Sequence, residues 1–215
     1  MAPLAAIAST PEGRALIKNA VTENRNDKGE VVSYTVTLHK RADHWWGPAT
    51  FSEVKYTVDG LFSAKHADPR AAGDRSEVWP PVFEKAFAQH LGGYSQIDGQ
   101  GSPARAMEIL TGKPAVDIPL GAPPGYSAER LQCDLAAGKP VVLLSRKVFE
   151  GDAPAGVVGD HAYQVTGAKL DGGRLVVLLH NPWTDRGPIR HPEPPPVPYD
   201  ELQRWFAAVD VGRVR

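Results

Sequence analysis

The segment His161-Ala162-Tyr163-Gln164-Val165-Thr166-Gly167-Ala168-Lys169-Leu170-Asp171-Gly172-Gly173-Arg174-Leu175-Val176-Val177-Leu178-Leu179-His180-Asn181 decides the fold. Two strand-like runs, Ala162 to Leu170 and Arg174 to His180, are joined by Asp171-Gly172-Gly173, a strong hairpin turn. A chemically capable residue stands at the open end of each run: His161 on one, Asn181 on the other. Side chains alternate along a strand with period two, so the loop length decides whether these two meet. With three loop residues, Leu170 pairs with Arg174 and Tyr163 falls opposite Asn181. His161 is then the diagonal neighbour of Asn181 on the same face, within reach of a hydrogen bond. With two loop residues they lie on opposite faces. An imidazole oriented by an amide carbonyl is one way to hold the tautomer that a thiol nucleophile needs.

Upstream, Val141-Val142-Leu143-Leu144 reads as a short apolar strand, and Ser127 to Ala137 as a helix with Leu131 and Leu135 inward. The stretch from Lys113 to Tyr126, rich in Pro and Gly, reads as a crossing between two lobes. Ser102 and Pro103 suit the N-cap and first position of a helix carrying Ala106, Ile109 and Leu110 that stops near Gly112. The clearest helical stripe runs from Ser76 to Leu91 through Trp79, Val82, Phe83, Ala86, Phe87 and His90, ended by Gly92-Gly93. Val32, Tyr34, Val36 and Leu38, then Val54, Tyr56 and Val58, alternate as strands of a hairpin or small sheet. Leu4 to Val21 reads as helical, interrupted at Pro11 with Thr10 as N-cap. Downstream, the proline-dense His191 to Pro198 reads as an extended connection. The expected class is α+β: a mostly helical first lobe, residues 1–125, and a β-rich second lobe, 126–215, that carries His161 and Asn181.

The composition narrows the function. Of 215 residues, 42% are hydrophobic and 23% charged, which excludes a disordered chain. Lys plus Arg (24) balances Asp plus Glu (25), so no charge excess directs the chain to nucleic acid or anionic lipid, and no such partner is expected. The apolar run Met1 to Ala8 lacks a basic leader and is too short to be a signal or membrane segment. A single cysteine, Cys133, permits no internal disulfide and no Cys-rich metal site. Phosphate-binding, dinucleotide-binding and zinc-protease motifs are absent from the sequence, so neither metal nor cofactor is expected. A cytoplasmic protein fits, as does one exported without a classical signal peptide. The Ala, Gly, Pro and Arg bias suits a GC-rich bacterial gene.

His161 to Gly167 followed by Asn181-Pro182-Trp183 resembles the His and Asn motifs of calpain-type cysteine proteases. Glu77-Val78-Trp79 through Glu84-Lys85-Ala86-Phe87-Ala88 is similar to that family's Leu-Trp...Glu-Lys-Ala-Tyr-Ala helix. Gly101-Ser102 and Leu110-Thr111-Gly112 fall where the family has its Gly-Gly-Ser loop and Thr-Gly helix end. Val197 to Leu202, Trp205-Phe206 and Asp210-Val211 resemble its last helix and strand. The resemblance implies a papain-like two-lobe fold, with His161 as general acid and base, Asn181 as its orienting partner and Trp183 as an indole shielding the pair. Gly99, Gly101, Ser102 and Asp160 would line the substrate cleft, and the substrate would be a protein or peptide.

The pattern breaks at the nucleophile. Leu4-Ala5-Ala6-Ile7-Ala8 matches the helix just after the family's cysteine, which puts Met1 in the cysteine's place. A thioether cannot become a thiolate, so the chain as written is expected to be inactive. Cys133 is assigned a packed structural position and no catalytic role. Asp160 replaces the family's usual Gly before the His, where a carboxylate would crowd substrate or raise the histidine's pKa. No counterpart of the acidic calcium loops follows Trp183, so calcium dependence is not carried over. Three readings follow: a calpain-like protease domain from a longer polypeptide that supplies the cysteine, a pseudoprotease that binds peptide or protein without cutting it, and an unrelated binding module.

Overall fold

The computed structural model describes residues 2–60, 79–97, 101–123, 125–147, 153–182 and 193–215. They form six helices and nine strands, consistent with an α+β chain. The chain divides into two compact units. One takes the chain up to Arg14, residues 102–108 and everything from Lys113 onward; the other takes Ala15 to Gly101 and Ile109–Gly112. This interleaved division differs from a single cut at residue 125.

The first unit is built on a six-stranded antiparallel sheet of order β4-β9-β5-β6-β7-β8. Its strands are β4 (Val116–Pro119), β5 (Val141–Ser145), β6 (Ala162–Asp171), β7 (Arg174–His180), β8 (Val197–Pro198) and β9 (Phe206–Val211). β5 is the unbroken apolar run expected of a strand covered on both faces, with four of its five residues buried. Leu143, Tyr163, Val177, Phe206 and Val209 meet in one core cluster; burying each such side chain stabilises the fold by roughly 1.5–3 kcal/mol. Helix α1 (Ala2–Ala8) lies against β5 and β6 with Leu4 and Ile7 buried. Helix α4 (Pro103–Thr111) and helix α5 (Ala128–Ala136) follow, the latter capped by Ser127, whose side chain accepts from Arg130 N–H. Helix α6 (Leu202–Trp205) leads into β9.

The second unit holds the three-stranded antiparallel sheet β1 (Val21–Arg25), β2 (Val31–His44) and β3 (Gly47–Asp59). Alternation turns Tyr34, Val36 and Leu38 inward, and helix α3 (Trp79–Leu91) packs on β2 and β3. Lys85 of α3 pairs with Asp59, and Gln89 donates to the Thr57 carbonyl at 3.3 Å. Gly112, at φ 64°, ends α4; a Cβ there would meet the His39 ring at 2.4 Å. Helix α2 (Pro11–Asn19) begins as expected, with the Thr10 hydroxyl accepting from Gly13 N–H at 3.1 Å.

Several expectations need correction. Val21 opens β1 rather than ending a helix, because its peptide pairs with Val36. The Lys113–Tyr126 stretch is not all loop: it contains β4, an edge strand that tolerates Pro119 at its end. The proline-dense segment ends as β8, whose Pro198 also sits at a sheet edge. β2 and β3 run well past the alternating stretch, as a ribbon exposed on most positions beyond Lys40. At its tip Trp45 and Trp46 are 93% and 70% exposed. Cys133 is exposed, not packed, because Leu131 and Asp134 define the buried side of α5 and Cys133 falls off it. Ser76 to Val78, the expected start of α3, lie outside the described residues.

Candidate active site

His161 and Asn181 meet, by a route that neither loop length alone describes. The turn has two residues: Asp171 pairs with Arg174, and Leu170 with Leu175. That register alone would set the two on opposite faces. It holds to Gly167↔Leu178, then shifts, and the ladder resumes at Val165↔Leu179 and Gln164↔His180. Thr166 is the extra residue of a β-bulge, with its hydroxyl on the Leu178 carbonyl at 3.2 Å. One bulged residue has the same effect on the far end as a third loop residue, so both side chains reach one face. His161 Nε2 lies 3.0 Å from Asn181 Oδ1, with 6% and 2% of the two residues exposed. An amide oxygen only accepts, so a neutral imidazole must carry its proton on Nε2, which leaves the basic lone pair on Nδ1.

The surroundings hold the histidine's backbone on both sides. Ser145 N–H donates to the His161 carbonyl at 2.8 Å, while His161 N–H donates to the Ser145 hydroxyl at 2.9 Å. The Tyr163 ring meets the imidazole edge to face at 4.8 Å. Tyr163 accepts from Val158 N–H at 2.6 Å and donates to the Gly156 carbonyl at 3.2 Å. Burial pushes the Tyr163 phenol up; the Val158 N–H opposes this and the Glu193 charge adds to it. Beside the asparagine, Glu193 accepts from Asn181 N–H at 2.8 Å and reaches His180 Nδ1 at 2.6 Å. Ser145, Tyr163 and Glu193 were missed by sequence reasoning. Only Tyr163 carried a signal, its place two residues from His161 on the same strand face.

Asp160 is exposed and has φ 51°. A position in the left-handed region favours glycine, and Asp is among the few other residues that adopt it readily. Ser102 takes part in a different polar cluster: its hydroxyl lies 3.4 Å from Asp210 Oδ1, which also accepts from Ala104 N–H at 2.8 Å. Gly101 precedes it and is exposed. Asp210 is fully buried, and its Oδ2 has no hydrogen-bond partner among the described residues. Burial pushes its carboxyl up to about 7, with the Asp117 charge adding to the rise against the hydrogen bonds. Met1, Gly99 and Trp183 lie outside the described residues. Among those described, no group of three or more His, Cys, Asp or Glu could hold a metal ion, and no helix is long and apolar enough to cross a membrane.

Comparison with known proteins finds calpains. A calpain from Schistosoma mansoni is 31% identical over 194 residues, 85% of this chain and 24% of its own length. Calpain-9 of Rattus norvegicus is 32% identical over 120 residues, 52% of this chain and 17% of its own length. The calpain-type cysteine protease DEK1 of Arabidopsis thaliana is 26% identical over 198 residues, 85% of this chain and 8% of its own length. The chain therefore spans less than a quarter of the length of each of these relatives. The model of the calpain family cysteine proteases matches residues 4–187, and the chain belongs to that family.

Proposed function

We propose that this chain carries the His–Asn half of a calpain-type endopeptidase site on a papain-like two-lobe scaffold, and that it forms part of a longer polypeptide cutting protein substrates. The buried 3.0 Å contact from His161 Nε2 to Asn181 Oδ1 carries the reading. With Nε2 engaged, Nδ1 is the nitrogen that would take a thiol proton, giving a thiolate–imidazolium pair. The thiolate attacks the peptide carbonyl carbon. The imidazolium gives its proton to the leaving amine as the C–N bond breaks, leaving a thioester. His161 then takes a proton from water, whose oxygen attacks the thioester; the C–S bond breaks, the acid is released and the thiolate–imidazolium pair is restored. Trp183 would shield the pair, and Gly99, Gly101, Ser102 and Asp160 would line the cleft. This chemistry needs neither metal nor organic cofactor.

A methionine at the nucleophile's position cannot enter that cycle, so the 215-residue polypeptide is expected not to turn over denatured casein. Placing Cys at position 1 behind a segment bearing the family's Gln should give proteolysis blocked by thiol reagents. His161→Ala in that form should lower the rate on the order of 10²–10⁴-fold. An inactive restored form, or casein turnover by the original chain that survives His161→Ala, would sink the reading.

A further inference from the structure

We propose that Glu193 is a positioning residue of this site, holding Asn181 so that its amide oxygen meets His161. The inference rests on the His161–Asn181 pair being the functional one. Asn181 follows His180, the last residue of β7, and lies beyond Gln164↔His180, where the recorded pairing of β6 with β7 ends. Its N–H instead donates to Glu193 Oε2 at 2.8 Å, and Glu193 Oε1 lies 2.6 Å from His180 Nδ1. One carboxylate thus grips two successive residues, fixing the Asn181 backbone from which a side chain with only two rotatable bonds reaches the imidazole. A peptide N–H on an ionised acceptor is a strong, directional bond, whereas the half-exposed His180–Glu193 contact alone contributes little. Glu193 is itself seated: at Gly156, φ +85°, a Cβ would stand 3.0 Å from the Glu193 carbonyl oxygen and from Pro194 Cα. Only a glycine lets the segment lie so close.

The test reads the histidine ring and needs no activity. Full-length chain labelled with ¹⁵N-histidine is recorded by long-range ¹H–¹⁵N correlation above about pH 8, where an ordinary histidine is neutral. The original chain should show His161 as a single Nε2–H tautomer. Glu193→Ala should lose that signature, with the two ring resonances moving toward each other as the second tautomer enters. Glu193→Gln keeps an acceptor for Asn181 N–H and should retain it. Unchanged His161 resonances in folded Glu193→Ala, alongside a shift in Asn181→Ala, would overturn the proposal while leaving the pair intact. Unchanged resonances in Asn181→Ala would overturn the pair itself, and the role of Glu193 with it. Should Glu193→Ala not fold, Glu193→Asp, one methylene short of the Asn181 N–H, carries the same test.

Discussion

The β2–β3 and β6–β7 hairpins share a plan and differ in what it does. Each closes on two residues, Trp45-Trp46 in one and Gly172-Gly173 in the other, and each has one break in register. In β2–β3 the break lies beside the turn: Pro48 and Ala49 stand against Asp43 between the pairs Ala42↔Thr50 and His44↔Gly47. Only the exposed tip feels it. In β6–β7 the break is Thr166, several pairs from the turn and just before the buried end. There it re-aims every later side chain, including Tyr163 and His161. A bulge thus matters according to what lies beyond it. Side chains continuing into a core make it a determinant of the site, and side chains ending in water make it a local irregularity.

Truncating one side chain beyond each bulge breaks this comparison most directly. Tyr163→Ala empties a fully buried position beyond Thr166, at a cost of about 3–5 kcal/mol. Trp46→Ala, at the exposed tip beyond the other break, should shift stability by no more than about 0.5 kcal/mol, as expected for an exposed position. Urea melts followed by far-ultraviolet circular dichroism measure both. Equal effects would refute the account.

The same contrast extends to charge. Asp210, buried in the sheet that holds β6 and β7, has its carboxyl pushed up to about 7 from 3.8. Between those values the folded state holds a proton that the unfolded chain has released, so this group's stabilisation is full below about pH 4. It falls as pH rises and is gone above about pH 7. The total is roughly 4 kcal/mol. Asp210→Asn keeps an acceptor for Ala104 N–H and should flatten stability between pH 4 and 7, taken about those values. At the ribbon tip, Asp43 pairs with Arg41 at 2.8 Å, both well exposed. Asp43→Asn should change stability by less than about 1 kcal/mol. A pH profile of Asp210→Asn still falling toward neutrality would place the slope elsewhere.

Smaller still is the hydroxyl of Tyr163. Tyr163→Phe keeps the ring on His161 but leaves Val158 N–H without this acceptor, a loss of about 1–2 kcal/mol. Trp45→Ala, by contrast, should be neutral to within about 0.5 kcal/mol. Thermal unfolding of the two variants side by side sharpens the comparison at the level of single groups.

Strand counting left the His161–Asn181 meeting open: the two-residue turn that forms is the one it tied to opposite faces, and the bulge that restores the meeting was not read. The isolated Gly167 inside a strand run is a signal for a bulge, but where the extra residue falls is settled by which register lets Tyr163 and Val165 bury. Helix α3 announced itself by its stripe, and the inner halves of β2 and β3 by alternation. Their outer halves, through Lys40-Arg41-Ala42-Asp43, do not alternate, because neither face is buried. β4 hid among prolines and glycines, paired by β9 nearly a hundred residues away. Cys133 was misplaced by treating residue type, rather than helical phase, as the guide to burial. Glu193 escaped notice because its acceptor role depends on tertiary placement, twelve residues from Asn181 in a stretch that reads as a connection.

The tip of the β2–β3 ribbon has an optical consequence. Of five tryptophans in the chain, Trp45 and Trp46 stand in water, with rings 5.5 Å apart and the His44 imidazole 4.9 Å from Trp46. Trp205, by contrast, is buried beneath Arg204. Intrinsic emission from the native state therefore carries a large solvent-relaxed, acrylamide-quenchable component. Trp205 packs in the core of the sheet that holds His161, so the change of emission on unfolding follows that sheet above a constant background from the ribbon tip.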